Sequence, residues 1–223
     1  MDREKMPIEL YAIHTGFLDD EIVFQKKLKQ VSYHRYEKVN ALRVREEKKR
    51  SLAAGLLLES ILMDYGYSPD AIQQDEGGKL YLPDVKDFYF SISHSGEYAV
   101  CAVASCPIGV DIQQKRETKM KLARRFFQNT EADHIEEQPS DKKEELFFRY
   151  WTGKESYLKL TGRGILGGLD TFLVDFGNSK IIDPYQNQDI FLKEYRCFED
   201  YFISVACYSS NFATFIKRIY YRL

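Results

Sequence analysis

The sequence predicts an α+β fold made of two similar halves in one chain. Three observations carry that expectation. Strand, helices and strands follow one another twice along 223 residues. The strand runs that close each round resemble each other, Glu97–Ala104 against Asp200–Cys207, at an offset of 103 residues. No low-complexity linker divides the chain. A repeated α+β unit buries its apolar faces by packing on its twin. The expected halves are 1–107 and 108–223, with the active site in the cleft between them.

Each element follows from local pattern. Ile8–His14 reads as the first strand. A helical region covers about 19–65, broken near Ser32, with Leu52, Leu56 and Ile61 on its apolar face. Asp64-Tyr65-Gly66 ends it, and Ser68-Pro69-Asp70 is turn or cap chemistry. Lys79–Leu82 is a short strand. Phe88, Phe90 and Ile92 alternate with polar or smaller residues, which suits a half-buried strand. Ser93–Gly96 reads as a turn and Tyr98–Ala104 as the return strand. The second round opens with a strand at Ile108–Ile112. Helical patterns cover about 119–127 and 142–160, and strands are expected at Leu169–Phe176, Asp189–Cys197 and Tyr201–Tyr208.

Composition excludes several classes. Apolar residues make up 44% and charged residues 30%, which rules out a disordered or collagen-like chain. With 16 Tyr and 15 Phe the chain can bury a sizeable core. A net charge of −2 gives no whole-molecule field to attract nucleic acid. Locally, Lys26–Arg50 carries a balance of +7 and Glu131–Glu145 one of −5. Solvated helix faces explain such runs, but the basic one also marks a place for phosphate. None of the four cysteines forms a C-x-x-C pair, and three lie in apolar strand-like runs, so reduced thiols are expected rather than disulfides or zinc. The start, Met1-Asp2-Arg3-Glu4-Lys5-Met6, runs into no long apolar stretch, so no secretory signal is expected. The longest uncharged segment, Tyr98–Val110, is too short to span a bilayer. A cytoplasmic protein with neither membrane nor nucleic-acid partners is expected.

Few motifs carry chemistry. Gly162, Gly164 and Gly167 match a dinucleotide fingerprint by spacing. That mechanism needs a strand before and a helix after, and here the order is reversed, so a helix C-terminus is the reading. Ser93-His94-Ser95-Gly96 is not a nucleophile elbow; it is either a polar strand end or a phosphate site. Asp111 and Gln113 share one strand face. Glu155 and Lys159 are i,i+4 helix neighbours, by themselves a surface pair worth about 0.3–0.5 kcal/mol. Taken together, Asp111 and Glu155 could hold Mg²⁺ while Lys159 meets phosphates, since Mg²⁺ prefers one or two carboxylates plus phosphate and water.

The ordered set is more specific than any member. Gly78-Lys79, Phe90–Gly96, Gly109–Ile112, Arg125–Phe127 with Glu131, and Trp151–Lys159 with Gly162 and Gly164 together resemble a 4′-phosphopantetheinyl transferase. The chain is similar to the long, surfactin-synthetase-activating type, whose fold is two fused α+β halves related by a pseudo-twofold. The likeness runs from about Arg35 to Tyr208.

The resemblance implies that coenzyme A donates its phosphopantetheine arm to a serine of an apo acyl, peptidyl or aryl carrier protein, with release of 3′,5′-ADP. It implies Mg²⁺, or Mn²⁺ in its place, coenzyme A as substrate, and a monomer with a complete site. Arg35, Lys38 and Arg50 match basic positions near the coenzyme A phosphates, and Lys79 would meet the 3′-phosphoadenosine end. Ser93 and His94 match a phosphate-contacting pair. Asp111 and Glu155 match metal-binding acids, Lys159 a phosphate-contacting lysine and Glu131 a further acidic site residue. In mechanism, Lys159 stabilises developing charge, His94 and Arg50 orient the diphosphate, and Glu155 is the candidate base. Two positions depart from the family pattern: Leu80 replaces a proline, and Gln113 replaces the second acid of an Asp-x-Glu. The second departure supports an alternative reading, a non-catalytic coenzyme A-binding scaffold or regulatory module. Retention of Asp111, Glu155 and Lys159 opposes it.

Overall fold

The computed structural model describes residues 6–117, 121–164 and 168–221. The charged start at 1–5, the first residues of the helix expected from 119, and Gly167 lie outside the described residues.

Eleven strands and six α-helices occur among the described residues. β1 (Ile8–His14) leads to α1 (Glu21–Leu28), α2 (Tyr33–Ala41) and α3 (Arg45–Asp64). A small hairpin, β2 (Gln73–Gln74) and β3 (Leu80–Tyr81), precedes β4 (Tyr89–Ser95) and β5 (Tyr98–Ala104). β6 (Ile108–Gln114) opens the second round, followed by α4 (Lys121–Phe126), α5 (Asn129–Glu136) and α6 (Ser140–Thr161). β7 (Leu173–Asp175), β8 (Lys180–Ile182), β9 (Ile190–Tyr195), β10 (Tyr201–Cys207) and β11 (Phe212–Ile219) complete the chain.

The strands form two main sheets, ordered β11-β1-β5-β4 and β6-β10-β9-β8-β7. In the first, Leu52, Leu57 and Leu62 of α3 pack with Tyr11, Cys101 and Val103. In the second, Leu146 and Leu158 of α6 pack with Val174, Leu192 and Ala206. The opposite faces of both sheets meet in a third apolar layer of Ile8, Leu10, Val100, Val110, Ile203 and Val205. Successive side chains of a strand point to opposite faces, so β1, β5, β6 and β10 are buried on both. That is why Tyr98–Ala104 reads as a continuous apolar run rather than an alternation.

The α+β architecture agrees with expectation, and several local features differ. The first helical region has a second break, at 42–44, as well as the one at Ser32. At Ser32 the backbone N–H and the hydroxyl both donate to the Glu59 carboxylate, the hydroxyl at 2.7 Å. Ser93–Ser95 lie inside β4, and the turn is left to Gly96 and Glu97, with Gly96 at φ 54°. Of the expected strand Leu169–Phe176, only Leu173–Asp175 pairs. The Leu169 and Phe172 carbonyls turn inward and accept hydrogen bonds from the Lys154 ammonium. β11 was not expected. It returns to the first sheet and pairs parallel with β1, so a strand of the segment 108–223 completes the sheet of the segment 1–107. No helix among the described residues is long and apolar enough to cross a membrane.

Candidate active site

β4 and β6 are the facing edges of the two sheets, and three serines of β4 join them. Residues two apart on a strand share a face, and Ser91, Ser93 and Ser95 use that period. Ser91 Oγ accepts the Val110 N–H at 3.1 Å, and Ser95 Oγ accepts the Gln114 N–H at 3.0 Å. Between them Ser93 Oγ donates to Asp111 Oδ1 at 2.7 Å. Side-chain hydroxyls therefore occupy the edge groups that a ladder would otherwise need.

α6 crosses directly over β6. At Gly109 any added Cβ would collide with the backbone of Ser156 and Leu160. Only glycine permits this approach, and it brings Lys159 within reach of the strand. Lys159 Nζ donates to Asp111 Oδ1 at 2.7 Å and to Ser93 Oγ at 2.8 Å. The Gln113 amide donates to Asp111 Oδ2 at 3.2 Å. Asp111 is thus buried with both oxygens engaged, while Lys159 stays partly open at 31% exposure.

Glu155, one turn earlier on α6, lines the same cavity as Asp111, Gln113 and Lys159. Its Oε1 is buried without a hydrogen-bond partner. Burial first, then the Asp111 charge, push its carboxyl up to about 7, against the opposing pull of Lys159. A carboxylate desolvated without a partner is costly, so this oxygen is a donor in want of a cation. Asp111, Glu155 and the Gln113 amide are oxygen donors on one wall, which suits a hard divalent cation that also keeps water or phosphate ligands. Among the described residues no cluster of three or more acid, His or Cys side chains could hold a metal; such a cation would need ligands from outside the protein.

The cavity measures about 560 Å³, and Arg35, Lys38, Lys79 and His94 also line it. Arg35 is 5% exposed, its aliphatic stem laid over Gly55 of α3, where a Cβ would strike it. Burial holds the Arg35, Lys38 and Lys79 pKa values below their usual range. Lys79 reaches across to α6 and donates to the Leu160 carbonyl at 2.7 Å. This contact satisfies an orphan carbonyl at the helix C-terminus, where Gly162 turns the chain at φ 72°. His94 is pulled down to about 4, by surrounding protein first and then by Lys159, Arg50 and Arg35. The residue as a whole is exposed, so solvent screens part of that effect; the direction leaves it neutral at pH 7. Arg50 lies outside the main cavity, in an adjoining recess with Lys38, His94, Gln113 and Arg116.

Glu131 is not brought to this site. It is 3% exposed inside the second half, 2.7 Å from Lys154 Nζ. Its two oxygens also accept N–H groups of Gln128 and Val174. It caps the first turn of α5 and anchors β7, so its expected place as a site acid is corrected to a structural ion pair. Sequence reasoning missed Ser91, Ser95 and Gly109 as parts of the site's frame. The Ser-x-Ser-x-Ser alternation was a signal for the first two. For Gly109 nothing local marked the close approach.

Comparisons with known proteins find relatives over most of the chain. The family model of the 4′-phosphopantetheinyl transferase superfamily matches residues 107–207. A 4′-phosphopantetheinyl transferase of Bacillus subtilis is 33% identical over 193 residues, covering 84% of this chain and 86% of its own length. The 4′-phosphopantetheinyl transferase Sfp of Bacillus subtilis (strain 168) is 30% identical over 197 residues, with 86% and 88% covered. The 4′-phosphopantetheinyl transferase psf-1 of Bacillus pumilus is 32% identical over 172 residues, with 74% and 73% covered.

Proposed function

The chain belongs to the 4′-phosphopantetheinyl transferase superfamily and is a transferase of that kind, and we propose that it moves the phosphopantetheine arm of coenzyme A onto a serine of an apo acyl, peptidyl or aryl carrier protein, releasing 3′,5′-ADP with Mg²⁺ as cofactor. The observation that carries the reading is the convergence of Asp111, Lys159 and the orphaned Glu155 oxygen on one cavity wall.

In this reading Arg35, Lys38 and Lys79 receive the phosphates and 3′-phosphoadenosine end of coenzyme A by charge-assisted contacts. Lys79 exchanges its contact with the helix terminus for the ligand. Arg50, in the adjoining recess, and neutral His94 orient the diphosphate, the imidazole as a hydrogen-bond donor. Asp111 and Glu155 would hold the cation, with Gln113 offering an amide oxygen. When bound, Mg²⁺ supplies charge neutralisation at the phosphate oxygens. The carrier serine attacks the β-phosphate, and Lys159 stabilises the charge that builds there. Glu155 accepts the serine proton, directly or through a water. Residues 1–107 and 108–223 form the two walls, with β11 exchanged between them. Both walls come from one chain, so a monomer in the cytoplasm suffices.

The test is incubation with coenzyme A, Mg²⁺ and an apo carrier protein, read by intact mass. The carrier gains the phosphopantetheine mass, and Asp111→Ala abolishes the gain. Coenzyme A binding without transfer across a panel of carriers would instead support the scaffold reading.

A further inference from the structure

At the far end of β6 from Asp111, two cysteines meet. Cys106 stands just before the strand and Cys207 ends β10, the neighbour whose register sets Cys207 opposite Ile108. Their sulfurs are 3.2 Å apart. Cys207 is fully buried, and its thiol also lies 3.4 Å from the Pro107 carbonyl, which it can reach as a donor. Cys106 is half-buried and lines an open recess of about 600 Å³ shared with Tyr185, Asn187 and Tyr208. Small solutes can reach one sulfur while the other waits behind it.

We propose that Cys106 and Cys207 form a reversible oxidation site, in which a small peroxide converts the two thiols into a disulfide that ties the start of β6 to the end of β10. The pair divides the work. Contact with Cys207 chiefly, and backbone hydrogen bonds at Tyr208 and Ser209, draw the Cys106 thiol down to about 7, while Cys207 is pushed up and keeps its proton. The thiolate is the nucleophile in such chemistry.

The step balances. The Cys106 thiolate attacks one oxygen of hydrogen peroxide; an S–O bond forms, the O–O bond breaks, and hydroxide leaves to become water. Cys207 sulfur then attacks the sulfenic Cys106; the S–S bond forms, the S–O bond breaks, and the departing oxygen takes the Cys207 proton as a second water. The two thiols together lose two electrons, which the peroxide gains. Closure shortens the present separation to the roughly 2.05 Å of a disulfide, a movement of about 1 Å.

The other cysteines make the prediction selective. Cys101 is fully buried and pushed up by that burial. Cys197 is the most exposed of the four, yet burial of its thiol raises its pKa as well. Exposure alone selects Cys197; the pair geometry selects Cys106.

The full-length protein is treated with hydrogen peroxide and mapped by non-reducing peptide mass spectrometry. The expected product has lost two hydrogens, carries a Cys106–Cys207 linked peptide, and returns to the thiol form with dithiothreitol. Cys106→Ser slows oxidant uptake about ten-fold or more. Cys207→Ser leaves a sulfenic acid on Cys106 that dimedone traps. Oxidation that falls first on Cys197, or an unchanged rate in Cys106→Ser, overturns the proposal.

Discussion

Two lysines five positions apart on α6 each hold a carboxylate at 2.7 Å, and they do different work. Lys154 and Glu131 are sealed, at 0% and 3% exposure. Every group there is satisfied: Lys154 also donates to two carbonyls, and Glu131 accepts two N–H groups. Lys159 and Asp111 sit on the wall of a cavity, with Lys159 partly open and the bare Glu155 oxygen beside them. A completed buried pair specifies how α5, α6 and β7 dock. A pair with an unmet group beside it stores a demand that a ligand can meet. The number of unmet groups, rather than the ion pair itself, separates the structural site from the proposed catalytic one.

The sharpest way to break this comparison is to remove one partner from each pair. Asp111→Ala should lower turnover by about 10³-fold or more while leaving the melting temperature near that of the parent. Steady-state kinetics and a thermal melt read the two effects. A variant that melts far earlier yet turns over normally per folded molecule would exchange the roles assigned to the two sites.

Lys154→Met should do the reverse. It leaves Glu131 buried without its partner, at a cost of about 3–5 kcal/mol. Denaturant unfolding measures the loss, and adding Glu131→Leu should recover most of it. Coenzyme A KM for the folded fraction should not move. A Lys154→Met protein as stable as the parent would show that the sealed pair is not structural.

Gln113 sharpens the catalytic side. Gln113→Ala removes one hydrogen bond to the Asp111 carboxylate, which water in the open cavity can replace, so activity should fall only about ten-fold. Gln113→Glu adds an acid and should lower the Mg²⁺ concentration needed for half-maximal rate. If Gln113→Ala were as inactive as Asp111→Ala, the amide would be an obligatory ligand.

The smallest effect is a pH slope. The folded pKa of His94 lies below its unfolded value, so the unfolded chain binds more protons between the two. Stability should therefore be full above about 6.5 and decline as pH falls toward about 4. The exposure of His94 weakens the slope. His94→Gln should flatten it in acid-limb denaturation curves, and an unchanged curve would place the acid sensitivity elsewhere.

How much of this was legible in the residues follows from where the signals act. β1 and β5 were readable because pattern and turn chemistry are local. Asp111, Glu155 and Lys159 stood out because they fall inside a specific ordered set of motifs, and the fold brings them to one cavity. Glu131 looked like their fellow; only tertiary structure shows that Lys154 points to the opposite side of α6 and claims it. β11 escaped because its partner, β1, is almost the whole chain away and its residues are largely half-exposed, with Phe215 at 80%. Gly109 escaped because the constraint comes from a helix about fifty residues later.

The central claim is that Asp111 and Glu155 complete their site with a divalent cation, whereas Glu131 needs none. Calorimetric titration of Mg²⁺ into the protein with coenzyme A present tests it most directly. Asp111→Asn and Glu155→Gln should each lose binding about ten-fold or more, and Glu131→Gln should bind as the parent does. Unchanged Mg²⁺ affinity in Asp111→Asn and Glu155→Gln, or its loss in Glu131→Gln with the fold intact, would contradict the account.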